Sequence, residues 1–214
     1  MDIKENYSLK KYNSFNIDVI TKEFIQINSL QELIDLQKNL KYKNKLFIGG
    51  GSNILFTNNF EGLVVHISLK GISVKKINGN YTEIKVMSGE NWNDLVNWCI
   101  ENNLGGLENL SLIPGNVGAA PIQNIGAYGV ELKDVFISCE VYDLETEKLN
   151  IYYLNDCKFG YRDSIFKKNK NLIVVSVKMK LSSKNHLINS SYGGINDELK
   201  KLNIKTPSIK DISK

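Results

Sequence analysis

Residues 112–129 read LIPGNVGAAPIQNIGAYG, a stretch with four glycines, three alanines, one aromatic residue and no charge. A segment with so many small, uncharged side chains is unusual in an exposed loop, which is normally polar. It is also unusual in a core strand, which carries larger apolar side chains. Glycine permits positive φ angles and close approach of the main chain to another group. The stretch therefore predicts a backbone that lies directly against a ligand or against another part of the protein.

A second glycine-rich segment, GGGSN at residues 49–53, follows the apolar run at residues 46–48. This order predicts a strand that ends in a tight turn. The spacing matches neither the GxGxxG fingerprint of dinucleotide folds nor the GK[ST] ending of a P-loop. A turn of unobstructed backbone amides, followed by a serine hydroxyl and an asparagine amide, is nevertheless well suited to bind phosphate.

Together the two segments favour one extended cofactor. Glycines let the backbone contact a ligand, while Asn116, Gln123 and Asn124 offer neutral hydrogen-bonding groups. This set suits a pyrophosphate joined to a planar heterocycle, whose edge is hydrogen-bonded without added charge. The alternative is a buried crossing of small residues between two sheets, and the residues alone leave both interpretations open.

The composition is that of a globular chain: 214 residues, 42% hydrophobic and 23% charged, can form one large or two small domains. The net charge is +4, but the lysines are scattered, so we expect no nucleic-acid partner. Cys99, Cys139 and Cys157 form no CxxC pair, which argues against a metal site or a disulfide framework. There is no signal-peptide pattern and no run of about eighteen apolar residues, which predicts a cytoplasmic protein without a membrane partner.

The basic residues are almost all lysines, with very little arginine. The chain contains 26 lysines and one arginine, Arg162, together with 27 asparagines, a usage typical of AT-rich codons. Lysine could serve at any site that needs only positive charge. A retained guanidinium therefore predicts that Arg162 uses its planar, bidentate geometry.

Three helices are predicted. SLQELIDLQKNL at residues 29–40 begins with a capping box formed by Ser29 and Glu32. NWNDLVNWCIENNLGG at residues 91–106 has apolar residues at helical spacing and is expected to stop at its two glycines. Near the end of the chain, Thr206 is the expected N-cap and Pro207 the first residue of a short helix, whose packing partner is expected to be missing.

The remaining patterns predict strands. Residues 62–69 and 171–181 read as single strands, and residues 77–89 and 135–154 read as hairpins that turn at 78–80 and 145–148. Many short strands with few helices predict an α+β fold instead of a doubly wound parallel sheet.

Four segments resemble the UDP-N-acetylenolpyruvoylglucosamine reductase family: YNSFNID at 12–18, GGGSN at 49–53, GLENLSLIPGNVGAAPIQNIGAYGVEL at 106–132 and FGYRDSIFK at 159–167. They occur in the family's order. Members of this family are flavoenzymes that complete UDP-N-acetylmuramic acid in bacterial peptidoglycan synthesis.

The resemblance implies an FAD-binding domain of the vanillyl-alcohol-oxidase (PCMH) type, built from two α+β subdomains that hold the cofactor between them. We expect the N-terminal subdomain at residues 1–70 and the second at residues 71–190. Residues 191–214 are then the start of a truncated C-terminal substrate domain.

By the same resemblance, FAD is held by main chain and small side chains of both glycine segments. The implied residues are Gly49, Gly50, Gly51, Ser52, Asn53, Gly115, Asn116, Gly118, Ala119, Ala120, Asn124, Gly126, Ala127 and Tyr128. These segments contain no histidine, so the flavin is expected to be bound without a covalent link. His66 and His186 match no catalytic position and are interpreted as structural or exposed; no metal is expected.

In the family, NADPH reduces the flavin, which then passes hydride to the enolpyruvyl part of a UDP-sugar. Arg162 in YRDS matches the catalytic arginine, whose guanidinium stabilises charge on the substrate carboxylate. The alternative role for Arg162 is a structural salt bridge with Asp163. Tyr161 and Tyr192 match substrate-binding positions, although packing explains each equally well.

The sequence departs from the family at its end, because the segment that supplies a proton-donating serine and a late glutamate is absent. Two hypotheses follow: a reductase whose missing C-terminal segment is supplied elsewhere, or a non-catalytic FAD-binding fragment. A third is an oxidase or dehydrogenase of the same flavin superfamily with another substrate, although the YRDSIFK segment argues against it.

Overall fold

The computed structural model describes residues 2–39, 42–77 and 79–214. Position 40 of the first predicted helix and position 78 of the predicted hairpin turn lie outside these ranges. The strands, in chain order, are β1 Lys4–Ser8, β2 Ile20–Ile27, β3 Lys45–Ile48, β4 Phe60–Ile67, β5 Ile72–Lys76, β6 Tyr81–Met87, β7 Gly126–Ala127, β8 Val130–Glu131, β9 Phe136–Asp143, β10 Lys148–Tyr153 and β11 Leu172–Ser182. The α-helices are α1 Leu30–Asn39, α2 Trp92–Glu101, α3 Leu154–Cys157, α4 Ile165–Lys168, α5 Ile195–Lys201 and α6 Ile209–Ile212.

The first sheet has four strands in the order β1-β2-β4-β3. β1 pairs antiparallel with β2, whereas β2, β4 and β3 run parallel to one another. Parallel strands end at the same edge of a sheet, and the glycine turn at residues 49–53 leaves this edge directly after β3. The parallel pairing therefore places the turn beside the ends of β2 and β4.

The second sheet has five antiparallel strands in the order β10-β9-β11-β6-β5. Helix α2 covers one face and buries Trp92, Leu95 and Val96 against residues such as Ile84 and Val86. Residues of its other face, including Tyr142, Ile173 and Val175, share a core cluster with α1 and the first sheet. The two sheets are therefore joined by a common hydrophobic core.

The α+β prediction is confirmed by these mixed sheets, and both predicted hairpins are present as β5–β6 and β9–β10. The first sheet ends at Ile67 and the second begins at Ile72, on either side of the proposed boundary at residue 70. Because the sheets share a core, the division into subdomains stays a prediction. Within the described residues, no helix combines the length and apolar character that crossing a bilayer requires.

The helix caps differ from the predictions in detail. Ser29 Oγ accepts a hydrogen bond from the Glu32 amide (3.2 Å), as predicted, but the Glu32 carboxylate accepts from the Asn28 amide (2.6 Å) instead of from Ser29. Helix α2 ends at Glu101, before the predicted glycines. It ends early because Asn102 donates its side-chain amide back to the Trp98 carbonyl (2.8 Å) and Asn103 adopts a left-handed φ of 55°.

The prediction for the last helix is wrong in its start and in its packing. Helix α6 is capped by Ser208, not Thr206, because Ser208 and Asp211 form a reciprocal capping box. The helix also has a partner: Ile209 is buried, and Ser213 Oγ lies 2.6 Å from Ser111 Oγ, next to the 3-10 helix Glu108–Leu110. This contact could not be predicted from the local sequence, because Ser111 and Ser213 lie 102 positions apart in the chain.

Candidate functional site

The two glycine segments lie against each other. A Cβ atom at Gly50 would lie 2.9 Å from Asn116 Oδ1 and 3.2 Å from Gly115 Cα, and one at Gly115 would lie 2.8 Å from Ser52 Oγ. Ser52 Oγ also donates a hydrogen bond to the Pro114 carbonyl (3.3 Å). The segments therefore form one continuous surface, which we call the glycine surface: residues 49–53 together with residues 115–116.

The turn at residues 49–53 carries unused backbone donors. None of its N–H groups donates a hydrogen bond to another of the described residues. Gly50 and Asn53 are exposed and the other three residues are half-buried. Consecutive backbone amides that are not used within the protein can bind an anion, so the turn is chemically suited to a phosphate group.

At some of the glycines, the packing of the protein leaves no room for a side chain. Gly51 has φ +66°, and a Cβ there would lie 1.9 Å from the Tyr12 carbonyl oxygen. A Cβ at Gly118 would lie 2.5 Å from Ser88 Cβ, and the Gly118 amide donates to the Ser88 carbonyl (2.9 Å). At Gly49 the nearest atom would be 3.5 Å away, an ordinary contact. Packing alone therefore explains Gly51 and Gly118 but leaves Gly49 open.

The 3-10 helix Val117–Gln123 follows the glycine surface and divides its alanines between two environments. Ala119 is exposed, whereas the side chain of Ala120 is buried in the core beneath α2. The Val117 amide donates to the Glu90 carbonyl (2.9 Å), which ties the helix to the start of α2. Only the first of these alanines presents its side chain to solvent.

Arg162 lies at the tip of a tight turn. The Gly160 amide donates to the Asp163 carbonyl (3.0 Å) and the Asp163 amide donates back to Gly160 (3.4 Å), which leaves Tyr161 and Arg162 between them. Arg162 has a left-handed φ of 51°, and Tyr161 is 89% exposed. The turn therefore projects both side chains away from the core.

The guanidinium of Arg162 points back to the second glycine segment. Its Nη2 donates a hydrogen bond to the Gly126 carbonyl (2.9 Å). Asp163 pairs instead with Lys168 (2.7 Å), whose hydrogen bond lowers the pKa of this carboxyl. The alternative of a salt bridge between Arg162 and Asp163 is thus not the arrangement observed.

Asn124 lies beneath this contact and is wholly buried. Its Nδ2 donates to the Gly160 carbonyl (3.2 Å) and its Oδ1 accepts from the Lys133 amide (3.1 Å). Gly126 and Ala127, which form β7, are half-buried next to it. Asn124 was predicted to contact a cofactor, but here both ends of its amide are paired with the protein.

Tyr128 and Tyr192 meet at the far side of the same segment. Their rings are perpendicular, with centroids 6.1 Å apart, and both are more than half exposed. The Tyr128 carbonyl is held by Asn109 Nδ2 (3.2 Å), and Tyr128 has a left-handed φ of 49°. A residue predicted to bind cofactor and one predicted to bind substrate are therefore neighbours.

Residues 23–150 match the protein family described as FAD binding domain. The match covers more than half of the chain. The chain belongs to this FAD binding domain family. Its fold class and the suitability of its glycine turn for phosphate agree with that membership.

Relatives of this FAD binding domain support the resemblance seen in the sequence. The chain is 48% identical over 215 residues to the UDP-N-acetylenolpyruvoylglucosamine reductase of Flavobacterium johnsoniae and 42% identical over 217 residues to that of Amoebophilus asiaticus. Each alignment covers 100% of this chain and 64% of the relative. The resemblance to this reductase family is thereby confirmed, and the chain spans about 64% of the length of these relatives.

Solved structures show the same fold. The reductase of Thermus caldophilus superposes with a TM-score of 0.68 at 22% identity, over 97% of this chain and 70% of that one. A cholesterol oxidase from Brevibacterium sterolicum gives a TM-score of 0.60 at 14% identity, over 85% of this chain and 38% of that one. At these identities the similarity concerns the fold alone.

Other features of the FAD binding domain lie away from the glycine surface. Cavities of about 470 and 450 Å³ lie beside Trp98 and beside Leu199, and none of the predicted site residues lines either one. Across the described ranges, no three histidine, cysteine or carboxylate side chains come close enough together to hold a metal ion. His66 is half-buried with its ring 4.9 Å from Tyr12, and His186 is bonded to Ser182 (2.7 Å).

Sequence reasoning missed the residues that support the predicted site. Asn109 is 96% buried and bonds both Tyr128 and Asn189 through Nδ2. Ser88 lies under Gly118 with a buried hydroxyl that has no partner among the residues described. Both residues act through contacts between distant segments, and nothing in their local sequence distinguishes them from ordinary loop residues.

Proposed function

We propose that this FAD binding domain serves the NADPH-dependent reduction of UDP-N-acetylenolpyruvoylglucosamine to UDP-N-acetylmuramate. The identity of 48% to a reductase of that name extends over the whole chain and supports this proposal. The observation that carries it is the position of Arg162, the only arginine in the sequence, against the Gly126 carbonyl (2.9 Å). This contact joins the proposed catalytic group to the proposed cofactor segment.

FAD would lie on the glycine surface. The free amides of residues 49–53 would hold its pyrophosphate, because they provide several donors at one place. Ala119 and the backbone of residues 126–128 would lie against the rest of the cofactor. Neither glycine segment contains histidine, so the bond to flavin would be non-covalent. When bound, FAD would supply hydride transfer, with NADPH as its reductant.

Arg162 would bind the carboxylate of the enolpyruvyl group. One of its N–H groups is used by Gly126, and its remaining donors have no acceptor among the described residues. A fixed guanidinium can therefore stabilise charge that develops on the carboxylate without reorganising. Tyr161 and Tyr192, both exposed, would contact the UDP-sugar.

The second candidate function is FAD binding without catalysis. The observation that favours it is the extent of the alignment, which covers 64% of the relatives' length. The proton-donating serine and late glutamate that the resemblance implies are not among these 214 residues. On this view the chain holds FAD but needs another polypeptide segment to complete a reductase.

Two measurements test the proposal. First, the purified chain is incubated with FAD and desalted; we expect flavin absorbance to remain with the protein, micromolar or tighter affinity, and release of the flavin on denaturation. An apoprotein with no measurable affinity would end both candidate functions.

Second, the flavin is reduced anaerobically and mixed with the enolpyruvyl substrate in a stopped-flow instrument. We expect no rapid reoxidation by this chain alone. We expect reoxidation once the C-terminal portion of a related reductase is added. Rapid reoxidation without it would show that the chain needs no further proton donor.

A further inference from the structure

The side chain of Asn124 connects two other segments of the protein through hydrogen bonds. Its side chain is wholly buried, its φ of 44° is left-handed, and both polar atoms of its amide are paired with backbone groups of other segments. A buried amide is costly unless it is hydrogen-bonded, so an amide bonded at both ends fixes the segments that it joins. The segments joined here are the loop at Lys133 and the turn that begins at Gly160.

The Gly160 carbonyl is the base of the Arg162 turn. It accepts from Asn124 Nδ2 (3.2 Å) and from the Asp163 amide (3.4 Å). Arg162 itself has a left-handed φ of 51°, which a non-glycine residue adopts only when its surroundings impose it. The hydrogen bond from Asn124 holds the point from which the turn departs.

Two further bonds join the Arg162 turn to the residues on either side of Asn124. Ser164 Oγ donates to the Ile122 carbonyl (2.6 Å) on one side of Asn124, and Arg162 Nη2 donates to the Gly126 carbonyl (2.9 Å) on the other. Residues 160–164 are thus bonded to residues 122, 124 and 126. Asn124 is the member of this set whose side chain belongs to the cofactor segment.

We infer that Asn124 is a positioning residue that fixes the Arg162 turn to the segment proposed to contact FAD, and that it is not itself a ligand of the cofactor. The importance of this arrangement for catalysis rests on the proposed function of Arg162. The bond between Asn124 and Gly160 holds the guanidinium near Gly126, so that the carboxylate of a substrate meets a group already in place.

The single arginine makes this inference directly measurable. In the ¹⁵N-labelled chain, Arg162 gives the only arginine Nε–H signal, so the relaxation of this signal reports the order of this guanidinium alone. The main variant is Asn124→Gly, which removes the amide but keeps a residue suited to positive φ. Asn124→Asp is the second variant, since its carboxylate can accept from Lys133 but cannot donate to Gly160.

A matched control is Asn13→Gly. Asn13 is 96% buried and bonds the Leu9 and Ile17 carbonyls (2.9 and 3.0 Å) in the loop that precedes β2, which contacts Gly51 and makes no hydrogen bond to residues 122–126 or 160–164, all within the described ranges. We expect this control to lose stability but to leave the Arg162 signal unchanged. It therefore separates general destabilisation from a local effect.

In folded Asn124→Gly and Asn124→Asp we expect the order parameter of the Arg162 Nε–H to fall and modification of the guanidinium by phenylglyoxal to accelerate about tenfold, the effect of losing one hydrogen bond. FAD affinity should stay within about threefold of the unaltered chain. An unchanged Arg162 signal in both variants would overturn the inference. Loss of FAD affinity with an unchanged signal would identify Asn124 as a ligand instead. Neither readout needs substrate turnover, so the result stands even if the proposed reaction is wrong.

Discussion

Gly51→Ala should destabilise the protein much more than Gly49→Ala, although both glycines belong to one turn. At Gly51 the new Cβ would lie 1.9 Å from the Tyr12 carbonyl oxygen and 2.6 Å from its carbon, and φ is +66°. The nearest atoms belong to backbone, which cannot rotate away as a side chain can. The chain around Tyr12 must therefore move by about an ångström or more to restore an ordinary contact.

The magnitude follows from two terms. A left-handed φ costs a residue with a Cβ roughly 1–2 kcal/mol, and forced overpacking costs about 1–3 kcal/mol. The free energy of unfolding should therefore fall by roughly 2–5 kcal/mol, which lowers the Tm of a chain of this size by about 4–20 °C. At Gly49 the nearest atom is Asn116 Cβ at 3.5 Å, so a change within about 0.5 kcal/mol is expected.

Urea and thermal unfolding of the apoprotein, followed by circular dichroism, measure both effects without FAD. A glycine that served only the approach of a cofactor would be tolerant of alanine in the apoprotein. Equal stability of the two variants would therefore refute the conclusion that protein packing requires Gly51.

Further predictions concern charge, pH and thiol reactivity. Arg162→Lys should slow the substrate half-reaction of a completed enzyme by ~10²-fold or more with FAD affinity kept, because an ammonium lacks the bidentate geometry; equal stopped-flow rates would mean that charge alone suffices. Burial and the charge of Lys70 lower the pKa of His66, so the unfolded chain binds this proton more readily than the folded chain does. The free energy of unfolding should therefore fall as pH drops through about 6.5, the pKa of histidine in an unfolded chain. His66→Phe should reduce this dependence in urea titrations between about pH 5 and 8, and identical slopes would contradict it. Burial, reinforced by Glu108, raises the pKa of the Cys99 thiol to about 12, so iodoacetamide should label Cys99 only on unfolding; rapid labelling of the native protein would contradict its burial.

The strands could be predicted because their signals are local. Alternating apolar residues and turn residues gave both hairpins and the long strand Leu172–Ser182, and the capping pattern at Ser29 gave the start of α1. The start of α6 was ambiguous, because Thr206 and Ser208 are both residue types that favour a helix N-cap. In the structure Ser208 is the N-cap, because it forms reciprocal hydrogen bonds with Asp211.

The sequence identified the segments of the candidate site, but it did not show which of their residues face a ligand and which pack against the protein. The glycine segments and Arg162 stand out in the sequence because small residues and a lone arginine are conspicuous. That Gly51 faces the Tyr12 carbonyl, or that Asn124 bonds Gly160, depends on contacts between segments far apart in the chain. Such contacts leave no periodic pattern, so the sequence could not separate residues that face a ligand from those that support them.

The most direct test of the central claim is a titration of the ¹⁵N-labelled chain with FAD, followed through its backbone amide signals. If the turn at residues 49–53 holds the pyrophosphate, the amides of these residues should shift and become protected from exchange as FAD binds, together with those of residues 115 and 116. Binding of FAD that leaves these amides unchanged would contradict the account.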